Sequence, residues 1–222
     1  MDRNQSALRN ADLSHDLRSP LNVILGWVRL LQEGGLSENL QRKALEAIER
    51  TALEQARMLE SLTASTTFAL TATTRRVKKP LPRGWNFDPS EALRGVRVLV
   101  VDDHRDSRRY FRAALRQRGA RVRTLPSPAE AVATIESWRP HVLLGNLQMP
   151  GENGLSLIRR VRELPEDRGG TTPAALLTGM NTAEVRRKAL AAGYHTFLPK
   201  PIEPVDLVLV VAKLSMLAVP AS

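Results

Sequence analysis

Apolar residues recur every three or four positions through the first third of the chain. The first series consists of Leu13, Leu17, Leu21, Ile24, Val28 and Leu31, and the second of Leu45, Ile48, Ala52, Leu59 and Leu62. This spacing predicts two amphipathic helices. Gly34 and Gly35 are expected to end the first helix, and Ser37 is expected to cap the second. Residues 1–70 are therefore predicted to form a helical hairpin.

The apolar stripe of this hairpin is too extensive for one partner helix to cover fully. Pairing two hairpins into a four-helix bundle would bury it, so we predict a homodimer. His15 lies off the stripe and is expected to face solvent, with Ser19 and Asn22 on the same outer face. Pro20 removes a helix hydrogen bond and is expected to bend the helix one turn beyond His15.

From residue 96 onward the pattern changes to short apolar runs that alternate with helical segments. The runs lie at 98–101, 122–125, 142–147, 174–177 and 196–198. Five such repeats predict a doubly wound parallel sheet. The predicted fold class is thus α + α/β, with the helical hairpin first, a basic, proline-containing linker at 71–95, and a (βα)5 domain at 96–222.

Polar side chains occur where the predicted strands end. Asp102 and Asp103 follow the first run, Asn146 lies in the third, Thr178 follows the fourth, and Lys200 follows the fifth. A single pair of aspartates is more often a turn or a helix cap. Polar residues at successive strand ends instead indicate a site at the carboxyl edge of the sheet, where open α/β folds bind their ligands.

Composition narrows the classes of function. The chain has 222 residues, a formal net charge of +10 and no cysteine, which excludes disulfides and thiolate zinc sites. The positive excess lies in the linker and the C-terminal half. Because the arginines are scattered over several predicted helices with few aromatic residues among them, nucleic-acid binding is not expected. No apolar run approaches the roughly 18 residues of a membrane span, so we expect a soluble, cytoplasmic protein.

The segment around His15 resembles the phosphoacceptor motif of sensor histidine kinases. It reads Leu-Ser-His-Asp-Leu-Arg-Ser-Pro-Leu-Asn-Val-Ile-Leu-Gly over residues 13–26. In that family the histidine that matches His15 attacks the terminal phosphate of ATP, and the acidic neighbour, here Asp16, helps to remove its proton. The residue that matches Ser19 helps to position water during dephosphorylation of a partner. The resemblance therefore makes these three residues candidates for catalysis.

The C-terminal half resembles the receiver domains of response regulators. The segments that carry the resemblance lie at 100–104, 148–151, 177–179 and 198–201. In the family, residues that match Asp102 and Asp103 bind Mg²⁺ together with an aspartate of the third strand. Residues that match Thr178 and Lys200 contact the phosphoryl group. An aromatic residue that matches Phe197 reports the switch between states.

Asn146 occupies the position of the phosphate-accepting aspartate. An amide is neutral and a poor nucleophile, so it cannot form an acyl phosphate. Loss of one carboxylate should also weaken Mg²⁺ binding. We therefore expect a pseudo-receiver that is not phosphorylated at Asn146 and is held in one conformation.

The segment between the hairpin and the first strand is too short for the ATP-binding domain of active kinases, and no Gly-x-Gly or Gly-x-x-x-x-Gly-Lys motif occurs. No ATP site and no autonomous kinase activity are expected. The leading hypothesis is a phosphorelay protein that resembles a truncated hybrid kinase and binds a histidine kinase or a receiver domain. A purely structural adaptor, and a kinase half that uses an ATP-binding domain in trans, are the alternatives.

Overall fold

The computed structural model describes residues 19–63, 91–180 and 182–218. The predicted catalytic residues His15 and Asp16 lie outside these ranges, as does most of the predicted linker. None of the helices in the described ranges is both long and apolar enough to cross a bilayer.

The first part of the chain forms two helices. Helix α1 covers the described residues 19–33, and helix α2 spans Glu38–Thr63. Between them Gly34 and Gly35 both have φ of +76°, a left-handed conformation that glycine adopts without steric cost. The carbonyl of Ser37 accepts hydrogen bonds from the amides of the first turn of α2. The predicted helix ends are thus confirmed.

The second part of the chain forms one sheet of five parallel strands. The strands are β1 (Arg97–Val101), β2 (Arg121–Leu125), β3 (Val142–Asn146), β4 (Ala174–Thr178) and β5 (Thr196–Pro199). Their spatial order is β2-β1-β3-β4-β5. This order reverses direction between β1 and β3, which places a binding crevice at their carboxyl ends. The predicted (βα)5 fold is confirmed.

Helices cover both faces of the sheet. They are α3 (Arg105–Arg116), α4 (Ala131–Trp138), α5 (Gly154–Arg162), α6 (Ala183–Ala192) and α7 (Pro204–Ser215). Along β1, Val98 and Val100 join the core beneath α3 and α7, whereas Leu99 and Val101 join the core beneath α4, α5 and α6. Alternate strand residues therefore fill two separate cores, as expected of a strand buried on both faces.

The hairpin packs on the α3 and α7 side of the sheet. Val23, Trp27 and Leu30 of α1 belong to the same buried cluster as Tyr110 of α3. The rings of Trp27 and Tyr110 meet edge to face, with 6.2 Å between their centroids. The hairpin and the receiver half therefore share one hydrophobic core.

The expectation that Ser19 and Asn22 line an exposed face is wrong, because both are fully buried against the receiver half (0% exposed). Helix α1 has a second apolar face, and this face packs on α3. Part of the predicted stripe is left open instead, since Leu21 is 39% and Leu45 59% exposed.

Two histidines help to hold the starts of strands at the amino edge of the sheet. Nδ1 of His141 accepts a hydrogen bond from the amide of Arg97 (3.2 Å), and Nδ1 of His195 accepts one from the amide of Ala174 (3.2 Å). Burial lowers the pKa of both imidazoles, and the charges of Arg97 and Arg162 lower these pKa values further. Both rings therefore favour the neutral form that can accept.

These two histidines should make stability depend on pH. As the pH falls through about 6.5, the unfolded chain protonates them before the folded chain does, so stability is present above this pH and is lost toward the lower folded-state pKa values. The variant His141→Asn/His195→Asn should show a flatter loss of the free energy of unfolding between about pH 6.5 and 5 in urea titrations. A variant that loses stability as steeply as the wild type would contradict this role.

Candidate functional site

The carboxyl ends of β1, β3 and β5 bring three polar side chains into contact. Nζ of Lys200 lies 3.3 Å from Oδ2 of Asp102 and 3.1 Å from Oδ1 of Asn146. Asp102 and Asn146 are 0% exposed and Lys200 is 4% exposed. In such a dry setting a charge is stable only when it is paired and hydrogen-bonded. The buried ammonium and the buried carboxylate balance each other here.

The amide of Asn146 has one orientation that satisfies its neighbours. Its oxygen accepts from Lys200, while its nitrogen donates to Oδ1 of Asp103 (3.0 Å) and to the carbonyl of Gln148 (2.6 Å). Rotating the amide by 180° would place its N–H groups against an ammonium, which has no acceptor. The network therefore turns an N–H group, and not a lone pair, toward Asp103.

Asp103 pairs with the histidine that follows it. Nδ1 of His104 lies 3.2 Å from Oδ1 of Asp103. This hydrogen bond raises the pKa of His104 against the opposing effect of burial. Burial alone would raise the pKa of Asp103, but the hydrogen bond and charge of His104 hold that pKa below its ordinary value. The raised pKa favours the protonated form of His104, the form whose charge offsets the second carboxylate.

The helix that follows the acidic pair adds a further contact. Nη1 of Arg108, on α3, donates to the carbonyls of Asp102 (2.7 Å) and Asp103 (2.6 Å). These bonds fix the backbone from which both carboxylates project.

Two predicted site residues lie at the edge of this group and make other contacts. The hydroxyl of Thr178 donates to the carbonyl of Met180 (3.2 Å) and accepts from the amide of the same residue (3.0 Å). The ring of Phe197 is half-buried, with the guanidinium carbon of Arg186 5.6 Å from its centroid. The structure thus brings together Asp102, Asp103, Asn146 and Lys200. The hydroxyl of Thr178 instead bonds to the backbone of the loop that follows β4.

The acidic cluster has part of the ligand set that Mg²⁺ requires. One ligand atom from each of Asp102, Asp103 and His104 lies within 4.8 Å of the others, so the acidic residues of a receiver metal site are present. Magnesium requires oxygen lone pairs in a near-octahedral set. Because Asn146 turns an N–H group instead of an oxygen lone pair toward Asp103, the arrangement observed here lacks one oxygen ligand and fits the cation poorly.

Two features of the site were missed by sequence reasoning. His104 follows the acidic pair directly, and its position alone was a signal for pairing. The family resemblance makes Ser19 a candidate for catalysis, but its place in this site could not be found from the sequence, because its hydroxyl accepts from Nζ of Lys200 (3.4 Å) across 181 positions. No local pattern reports a contact over that separation.

A cleft opens beside the site between the hairpin and the receiver half. Its volume is about 560 Å³, and Pro20, Arg50, Thr51, Asp103 and His104 are among the residues that line it. Asp103 is therefore reached from the side on which the hairpin lies, whereas Asp102 is fully buried.

Comparisons with known proteins agree with this architecture. Residues 98–212 match the response regulator receiver domain, and residues 8–66 match the His Kinase A phospho-acceptor domain. Since the first match covers more than half of the chain, the protein belongs to the response regulator receiver family. The phosphoacceptor hairpin precedes this domain, so the chain combines two modules of two-component signalling.

Individual relatives share these modules to different extents. An uncharacterised 14.6 kDa protein of Leptolyngbya boryana is 39% identical over 118 residues, which are 53% of this chain and 88% of that protein. The sensor histidine kinase GacS of Pseudomonas protegens is 31% identical over 155 residues, which are 66% of this chain but only 17% of the kinase. The chain therefore spans a small part of that kinase.

A solved structure supports the fold of the receiver half. The receiver domain of a sensor histidine kinase from Pseudomonas aeruginosa, with a magnesium ion coordinated in its active site cleft, matches with a TM-score of 0.51 and 26% identity. The match covers 55% of this chain and 98% of that domain.

The buried pair of Lys200 and Asp102 should be essential for stability. Lys200→Met leaves the buried carboxylate without its charged partner, which should lower the free energy of unfolding by about 3–5 kcal/mol. Adding Asp102→Asn to Lys200→Met removes the second charge and should recover most of this loss. Urea unfolding of the two single variants and the double variant measures the coupling. Additive losses in the double variant would contradict a direct ion pair.

Proposed function

We propose that this chain is a phosphorelay protein in which His15 of the hairpin exchanges a phosphoryl group with a partner, while the receiver half is a docking module that is not itself phosphorylated. The partner is a histidine kinase or a response regulator receiver domain. In this proposal the chain supplies no ATP site of its own, and the acidic pair binds Mg²⁺ weakly because the third carboxylate is missing.

The contacts of Asn146 carry the proposal for the receiver half. Its amide takes the place of the acceptor carboxylate, and all its polar atoms are engaged with Lys200, Asp103 and Gln148. An amide oxygen has too little nucleophilicity to attack phosphorus. Lys200 pairs with Asp102, and His104, whose raised pKa favours its charged form, pairs with Asp103. Both remaining carboxylates thus have a basic partner without a phosphoryl group.

The open side of the hairpin supports pairing with a second copy. Leu21, Leu45 and Leu53 are 39%, 59% and 53% exposed. Large apolar side chains left open to water favour association with an apolar partner surface. We therefore propose a homodimer in which this side is buried in a four-helix bundle.

The relay step requires little beyond alignment of the reacting atoms. An imidazole nitrogen of His15 attacks the phosphorus of an aspartyl phosphate on the partner. The new N–P bond forms as the P–O bond to the aspartate breaks, and the imidazole proton passes to a base such as Asp16. Positioning and charge neutralisation supply most of the catalysis in such transfers.

Restoring the acceptor should restore acyl-phosphate chemistry. In a His15→Gln background, Asn146→Asp should gain one phosphoryl group on incubation with phosphoramidate and MgCl₂, because the third carboxylate returns both the nucleophile and the missing charge. Intact-mass spectrometry measures the gain, and hydroxylamine should remove it. His15→Gln alone is the matched control and should keep its mass. An unmodified mass for Asn146→Asp would show that the scaffold around residue 146 is no longer competent.

The phosphorylated variant is also the donor for a test of the relay. Radiolabelled Asn146→Asp/His15→Gln protein is mixed with the wild-type chain, and acid-labile, base-stable label is expected on the wild type at His15. Label that is absent from the wild type but appears on it with ATP and a second kinase would favour the kinase half that works in trans. Absence of label under every condition would favour the adaptor.

A further inference from the structure

The helix face that carries Ser19 and Asn22 is occupied by the receiver half of the same chain. Lys200 donates to the hydroxyl of Ser19 (3.4 Å), and the amide of Ile202 donates to Oδ1 of Asn22. Both donors belong to the loop that follows β5 and ends the candidate site. The edge of the receiver half that carries the candidate site therefore lies directly against α1.

Close packing extends this contact one turn further along α1. A Cβ atom on Gly26 would lie 2.4 Å from the ring of Tyr110, so only glycine allows this approach. The hydroxyl of Tyr110 donates to the carbonyl of Ile202 (2.9 Å), which fixes the ring. Because the ring of Tyr110 is fixed and leaves no room for a side chain at position 26, the contact between α1 and α3 is specific in shape.

Charged pairs flank the packed region on both sides. Arg50 of α2 makes two hydrogen bonds to Asp106 of α3 (2.6 and 3.1 Å). Arg118 pairs with Glu33 at the end of α1 (2.7 Å). The surface on the hairpin thus selects a receiver-type partner with a carboxylate in the first turn of its first helix and an aromatic ring one turn later.

We propose that the receiver half is a built-in competitor for this face of the hairpin. Another receiver domain gains access to the face only in molecules whose own receiver half has released it. The part of this inference that concerns access of a partner to His15 rests on the proposed relay. The part that concerns burial of Ser19 and Asn22 by the receiver half rests on the contacts given above.

Two groups at this face favour a contact that can be released. Nδ2 of Asn22 and Nε1 of Trp27 are buried and have no hydrogen-bond partner within the described residues. Burying a donor without a partner opposes the gain from apolar packing. Release of the receiver half would let water satisfy both groups.

The absence of cysteine from the chain allows a direct test of coverage. Ser19→Cys places one thiol on the covered face, and Gln32→Cys places one on an exposed position of the same helix. The thiol at position 19 should react with maleimide at least about tenfold more slowly than the thiol at position 32. Equal rates would overturn the proposal. Protection that falls on dilution would also overturn it, because the cover would then come from a second copy.

Two kinds of opening variant sharpen the test. Gly26→Leu keeps a good helix former in α1 but cannot fit beneath Tyr110, so it should bring the reaction rate of Ser19→Cys close to that of Gln32→Cys. Arg50→Glu faces Asp106 with a like charge and should raise the rate about threefold or more. Adding Asp106→Arg restores an ion pair and should return the rate toward that of Ser19→Cys alone. Unchanged rates in both opening variants would refute the assigned surface.

The access of another receiver domain to the hairpin is measured by the rate at which the radiolabelled Asn146→Asp/His15→Gln protein transfers label to His15. Asp106→Arg places a like charge against Arg50 but leaves the hairpin face unchanged for the donor, so this variant should accept label on His15 about threefold or more faster than the wild type. Equal labelling rates for the variant and the wild type would overturn the proposal that the receiver half is a competitor, while leaving the proposed relay intact. No label in either protein would overturn the proposed relay, and the thiol rates would still decide whether the face is covered.

Discussion

The ammonium of Lys200 is the interaction on which the rest of the site depends. It is a buried charge that meets a carboxylate, an amide oxygen and the hydroxyl of Ser19. By holding the oxygen of Asn146 it fixes which way that amide points, and so decides that the acidic pair faces hydrogen-bond donors. One cation thus sets the polarity of the site and also anchors the hairpin to it.

The hairpin and the receiver half are joined by a shared core rather than by surface charge alone. Trp27 and Tyr110 pack in the same cluster as the side chains beneath α3 and α7. A core of this kind is more selective than ion pairs, because close packing penalises small changes in shape. The flanking ion pairs, Arg50 with Asp106 and Arg118 with Glu33, then contribute mainly to the orientation of the hairpin on the receiver half.

The architecture was largely predictable from the sequence. Alternating apolar runs located all five strands to within about two residues, and the chain order of β/α units placed Asp102, Asn146 and Lys200 at one edge of the sheet. These predictions rest on local periodicity and on general rules of parallel sheets. The identity of Asn146 at the acceptor position was also readable directly.

The relation between the two halves was not predictable in the same way. Helix α1 carries two apolar faces, and periodicity shows that a face is apolar without showing what covers it. The leucine stripe predicts that Ser19 and Asn22 face solvent, whereas the other face of α1 packs on the receiver half and buries both residues. The orientation of the Asn146 amide was equally hidden, because it depends on Lys200 and on a backbone carbonyl of the loop after β3.

The two apolar faces of α1 bear on how this protein can be divided for study. A fragment that ends after α2 would place Val23, Trp27 and Leu30 in water, although all three are at least 98% buried in the whole chain. Such a fragment would be prone to aggregate through its exposed apolar face. Experiments on the isolated helices would then report on exposed core residues and not on the hairpin as it is packed in the intact protein.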